Sequence, residues 1–158
     1  MKYFIGNWKM FGVPKSINIL HKINYYYSKD KNRRKYRVII TPPYTLIESY
    51  AKYFKKKKII IGSQNCYQKD QFSSNTAAIS PYMIKRVGAN YTLVGHSDNR
   101  SEGDTNEMLK NKVHFALKNN LKVVFCIGEN KKEKKNKKTF SVLKKQLSKV
   151  LEKKFNKN

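Results

Sequence analysis

The sequence predicts an α/β fold in which five strand-helix units in series build a parallel sheet with right-handed crossovers. Short apolar runs rich in β-branched and aromatic residues recur at Tyr3-Phe4-Ile5, 37–40 (RVII), 58–62 (KIIIG), 91–95 (YTLVG) and 122–128 (KVVFCIG). Segments with helical periodicity lie between them, and residues that start or stop helices stand at the junctions.

The first and last runs bracket a regular alternation. Each run is almost continuously apolar rather than alternating, which suits parallel strands covered on both faces. Leu46, Ile47, Tyr50 and Phe54 form one helical stripe. Leu109, Val113, Ala116 and Leu117 form a second, and Leu143, Leu147, Val150 and Leu151 a third. Each stripe is expected to pack on the sheet. Ser80 and Pro81 read as the N-cap and first residue of a helix that Gly88 ends. Asp104 with Glu107 reads as a capping box. Residues 130–138 (NKKEKKNKK) read as a solvated loop and the exposed start of the last helix. No linker interrupts the alternation, so residues 1–158 are expected to form a single domain, long enough to bury a core.

The net charge of +25 suggests nucleic acid, an anionic surface or a phosphorylated ligand. Lys, Asn, Ile, Tyr and Phe are abundant together, however, as codons made mostly of A and T produce. The charge also reads as dispersed over helices and loops. Nucleic acid is therefore not expected as a partner. Cys66 and Cys126 lie far apart, with no CxxC and no metal-ligand spacing, so no metal is expected. The N-terminus turns polar at Gly6 and Asn7, and no apolar run approaches the roughly 20 residues of a membrane span. A reduced cytoplasm is the expected location.

Polar residues follow each apolar run: Asn7 and Lys9, Thr41, Gln64 and Asn65, His96 and Ser97, Cys126 and Glu129. In parallel α/β folds the strand ends where these residues lie share one face, where ligands bind. His21 and His114 lie mid-helix and read as structural or surface residues. The GxxxxGK[ST], GxGxxG and GxSxG patterns are absent, which removes the main support for kinase, dinucleotide and hydrolase chemistry. An ammonium, an imidazole and amide donors around one mouth suit an anionic small molecule whose carbonyl needs polarising.

Six motifs, GNWKM (6–10), TPPYTL (41–46), GSQNCY (62–67), ISPYMIKRVG (79–88), VGHSDNRSEGDTNEM (94–108) and FCIGE (125–129), together resemble the triosephosphate isomerase family. The resemblance implies a (β/α)8 TIM barrel, of which about five β/α units are present here, so an incomplete barrel. It implies interconversion of dihydroxyacetone phosphate and glyceraldehyde 3-phosphate through an enediolate, without cofactor or metal, in a cytoplasmic homodimer of glycolysis and gluconeogenesis. Asn7 and Lys9 match the family's substrate-binding pair, with Lys9 offsetting phosphate and oxyanion charge, and His96 matches the electrophile, a neutral imidazole at a helix start. Ser97, Asp98, Cys126 and Glu129 fall in supporting positions, and Thr76 in the dimer loop.

Asp98 replaces the family's glutamate partner of the lysine, one methylene shorter, and Asn99 replaces an arginine. Ala77 replaces a glycine, where a backbone with φ > 0 is costly for a residue with a Cβ. The segment YEPVWAIGTG that carries the family's general base has no counterpart, so no carboxylate of this chain matches the base. The expectation is a chain that carries part of the enzyme, with a separate C-terminal half as a possible partner. The alternative is a non-catalytic remnant, or a basic α/β module that binds phosphorylated ligands or nucleic acid. The chain's first and last strands are expected to present unpaired edges.

Overall fold

The computed structural model describes residues 1–151. Five parallel strands, β1 (Lys2–Asn7), β2 (Tyr36–Thr41), β3 (Ile60–Ser63), β4 (Tyr91–Val94) and β5 (Lys122–Phe125), pair in the order β1-β2-β3-β4-β5. Parallel pairing of consecutive strands requires a long crossover between them, and each is helix-bearing here. The helices are α1 (Ile17–Lys29), α2 (Tyr44–Phe54), α3 (Pro81–Arg86), α4 (Ser97–Ser101), α5 (Asn106–Lys118), α6 (Lys131–Lys135) and α7 (Thr139–Val150).

The core lies between sheet and helices. Ile40, Ile61 and Val94 of the strands meet Leu20, Ile47, Tyr50, Ile84 and Leu109 of the helices. Each such side chain contributes roughly 1.5–3 kcal/mol on full burial. The Tyr50 hydroxyl donates to the Val13 carbonyl at 3.1 Å, which pins the segment after β1 on α2. Ser80 caps α3 by accepting from Met83 N, as its sequence predicts, and Gly88 beyond it has φ +99° with its Cβ position 2.8 Å from the Ala51 methyl. An alanine there would be strained in backbone and space alike.

The sheet curls. Tyr3 and Ile5 of β1 share a concavity of about 990 Å³ with Tyr91, Val123 and Phe125 of β4 and β5. β1 and β5 terminate the sheet, as expected, and Tyr3, Phe4 and Ile5 are substantially exposed.

Three local expectations are corrected. The N-cap of α5 is Thr105, whose hydroxyl accepts from Met108 N, rather than Asp104 of the expected capping box. Asp104 instead binds the Lys112 ammonium at 2.7 and 2.8 Å, because a buried lysine needs a counter-charge. Residues 130–138 are not simply loop: α6 begins with a reciprocal capping box between Asn130 and Glu133. The last helix packs mainly against α5, and it buries Val150 completely while Leu147 stays exposed and Leu151 falls outside it as the C-cap.

Candidate active site

The register brings the strand ends level. Asn7 pairs with Thr41, Trp8 N donates to Thr41 O at 3.1 Å, and Cys126 N donates to Val94 O at 2.8 Å. Polar residues after successive strands therefore stand along one rim.

Lys9 leaves β1 through a left-handed backbone, φ +51°, a conformation that costs a non-glycine residue about 1–2 kcal/mol. Two neighbours hold it there. Asn7 Oδ1 accepts from Lys9 N at 2.9 Å, and Gln64 Nε2 donates to the carbonyls of Lys9 at 2.8 Å and Thr41 at 3.0 Å. One amide just past β3 thus ties the ends of β1 and β2. The strain is spent on aiming the Lys9 ammonium across the rim, where it meets Asp98 Oδ2 at 3.2 Å. The shorter Asp98 side chain therefore still reaches the lysine. The hydrogen bond from Lys9 holds the Asp98 carboxyl below its ordinary range. Both groups are more than half exposed, so the pair orients the lysine more than it stabilises the fold.

His96 is the N-cap of α4, and its Nδ1 accepts from Asp98 N at 3.2 Å. A ring nitrogen that accepts an amide N–H keeps its lone pair, so in the neutral ring the proton sits on Nε2. The imidazole is thereby set up to donate one hydrogen bond. Gly95 before it has φ +78° and places its Cβ position 3.1 Å from Cys126 O, so the histidine enters the rim through a turn that excludes a side chain.

Arg100 was not singled out by the sequence, yet it joins two strand ends. Its Nε donates to Gly95 O at 2.8 Å and its Nη2 to Cys126 O at 3.1 Å. A hollow of about 640 Å³ beside it is lined by His96, Ser97, Arg100, Cys126 and Glu129. Glu129 accepts from the Thr139 hydroxyl at 3.3 Å, and Gln146 clamps Gly128 through both backbone groups at 2.8 and 3.0 Å. Burial pushes the Cys126 thiol up, opposed by Arg100. Lys112 was also missed. Nearly buried, it bridges Asp104 to Asn65 Oδ1 at 3.1 Å and fixes the start of the loop after β3. The spacing of Asp104 and Lys112, two helical turns apart, was the only local signal for it.

Asn7, Lys9, His96, Ser97 and Asp98 are thus brought together, with Cys126 and Glu129 adjoining through Arg100 and the shared hollow. Thr76 is exposed in the loop after β3, and among the described residues no hydrogen bond ties it to the cluster. Ala77 beside it has φ +62°, the left-handed backbone expected at this position. Among the described residues no group of three or more His, Cys, Asp or Glu could hold a metal ion, and both cysteines are free.

A curled parallel sheet with a lysine, an imidazole and amides gathered at its strand ends defines a barrel-type α/β protein. The chain belongs to the triosephosphate isomerase family, whose sequence model matches residues 2–158. It is similar to the triosephosphate isomerase of Wolbachia pipientis wMel, 34% identical over 88% of this chain and 54% of the relative. It is likewise similar to that of Leptospira biflexa, 33% identical over 95% of this chain and 59% of the relative. The crystal structure of triosephosphate isomerase from Bartonella henselae superposes with a TM-score of 0.89 at 30% identity, over 96% of this chain and 62% of that one. The five strands therefore form a partial TIM barrel, and the chain spans little more than half the length of these relatives.

Proposed function

We propose that this chain supplies the electrophilic and charge-stabilising part of a triosephosphate isomerase, which interconverts dihydroxyacetone phosphate and glyceraldehyde 3-phosphate in glycolysis and gluconeogenesis. The observation that carries this reading is the pairing of an oriented Lys9 with a His96 ring whose Nδ1 is already occupied. A base removes the proton from the carbon beside the carbonyl, and the electron pair moves to the carbonyl oxygen as the enediolate forms. The Nε2–H of His96 donates to that oxygen as its charge grows, and the Lys9 ammonium offsets oxyanion and phosphate charge. Asn7 binds substrate and holds Lys9. Ser97, Asp98, Cys126 and Glu129 support the mouth.

No carboxylate of this chain takes the role of the base. That group, the lid and the phosphate-gripping turns belong to the β/α units that the relatives carry beyond the matched region, in the same polypeptide or a separate C-terminal half. Residues 1–158 act as one partial barrel domain, without cofactor or metal, in the cytoplasm, and Thr76 lies in the loop that meets a second subunit.

The test is turnover of glyceraldehyde 3-phosphate by the 158-residue chain, alone and with a separately made polypeptide carrying strands six to eight of a relative. The expected result is turnover only in the reconstituted complex, abolished by His96→Gln. Turnover that survives His96→Gln, or a folded complex with none, overturns the proposal.

A further inference from the structure

The end of the sheet opposite the candidate site carries a feature that the isomerase reading does not use. Parallel strands place all of their starts on one rim, and here those starts are basic. Residues 31–37 (KNRRKYR) lead into β2, residues 55–58 (KKKK) into β3, and Lys85 and Arg86 precede β4. Lys2 opens β1 and Lys122 opens β5. The charge that looks dispersed along the sequence is gathered by the topology.

Helix C-termini favour cations and account for Lys29, Lys52, Lys85, Arg86 and Lys118, each in a last turn. They also cover Lys55, the C-cap of α2, and Arg33, Arg34 and Lys35 of a short 3-10 helix, but not Lys31, Arg37, Lys56, Lys57 or Lys58. Lys52, Lys55, Lys57 and Arg86 line one open cleft of about 490 Å³. The one carboxylate on its wall, Glu48, is engaged by Lys52 at 2.7 Å. Lys57 lies 3.9 Å from the Tyr53 ring centroid and Arg86 5.6 Å from that of Tyr82, so aromatic faces fix two of the cations. Lys2 and Lys35 share a neighbouring hollow of about 640 Å³ with Asp30.

We propose that this strand-start rim binds the phosphodiester backbone of nucleic acid, independently of base sequence. A row of cations across adjacent strand starts about 4.8 Å apart offers repeated contacts to a repeating anion. A membrane surface fits less well. Docking on lipid uses apolar side chains that insert among the acyl chains; Met1 and Phe4 are exposed beside Lys2 and Lys35, but no large apolar residue lining the cleft of Lys52, Lys55, Lys57 and Arg86 is exposed.

The test is fluorescence anisotropy of labelled 20-nucleotide oligo-dT and of a 20-base-pair duplex, titrated with the 158-residue chain between 50 and 200 mM salt. With roughly five phosphate contacts, binding over that range is expected to weaken about 100-fold for oligo-dT and about 500-fold for the duplex. Replacing Lys55, Lys56, Lys57 and Lys58 by Gln is expected to weaken binding at least about tenfold and to flatten the salt slope for oligo-dT by about 3. Arg33→Gln with Arg34→Gln is expected to act in the same direction. The control replaces Lys131, Lys132, Lys134 and Lys135 by Gln, removing equal charge from the opposite end of the sheet, and is expected to leave binding within about twofold. Equal losses in both sets, no binding at 50 mM salt, or preference for phosphatidylserine vesicles over both oligonucleotides overturns the proposal.

Discussion

The bond from Asp98 N to His96 Nδ1 at 3.2 Å favours the proton on Nε2, against the pull of Asp98 Oδ2, 3.6 Å from the same nitrogen. Nitrogen-15 NMR of the neutral ring is expected to report the Nε2–H tautomer, and an Nδ1–H signal would remove the electrophile from the proposed chemistry. Among the described residues, Ser63 Oγ is the one buried side-chain polar atom without a hydrogen-bond partner. An orphaned buried hydroxyl costs free energy that a methyl group does not, so Ser63→Ala is expected to raise stability by about 1 kcal/mol in denaturant titration. A lower midpoint would show that a partner exists. Cys66 is buried beside the Lys112 carbonyl, and burial pushes its thiol from 9.0 up to about 12. The folded state favours the neutral thiol, so this contribution is complete below the unfolded value of 9.0 and is lost as pH rises towards about 12. Stability is expected to fall over that alkaline window, and Cys66→Ala to flatten the fall. An unchanged slope in the variant would assign the alkaline loss to other groups.

Neighbouring candidates explain why element boundaries were only partly legible. Asp104 and Thr105 are both good N-caps, and nothing local ranks them; the buried ammonium of Lys112 claims the first and leaves the second to cap α5. Thr105→Ala is expected to cost about 1 kcal/mol, the loss of one cap. Asp104→Ala is expected to cost about 3–5 kcal/mol, because it strands a buried charge. Equal costs in thermal or chemical unfolding would mean that Lys112 finds water or another partner. The helix at Lys131–Lys135 was hidden by its lysines, although its Asn130 and Glu133 spacing was there to read. Polar composition conceals a short helix that buries no stripe, since periodicity reports burial rather than backbone geometry.

Across the molecule, the alternation of strands and helices was legible because the inner strands β2, β3 and β4 are largely buried and so appear as continuous apolar runs. The first strand has the same apolar composition but is largely exposed. Tyr3, Phe4 and Ile5 form a strand with a partner on one side only, 52%, 57% and 38% exposed. Such an edge recruits other chains. Light scattering of the 158-residue chain is expected to show concentration-dependent self-association that Tyr3→Lys reduces. A chain that stays monomeric at high concentration would show that β1 is protected.

Composition and order along the chain determined the β/α class, the family motifs and the identity of Asn7, Lys9 and His96 as candidates, because each depends on residues close together in sequence. Only the tertiary structure decided that Lys9 reaches Asp98, that Gln64 ties β1 to β2, that Arg100 joins β4 to β5, and that scattered cations meet on one rim. Those partners come from different strands, and a bond between distant segments imposes no periodicity on either. It becomes visible only when the sheet sets the strand ends side by side.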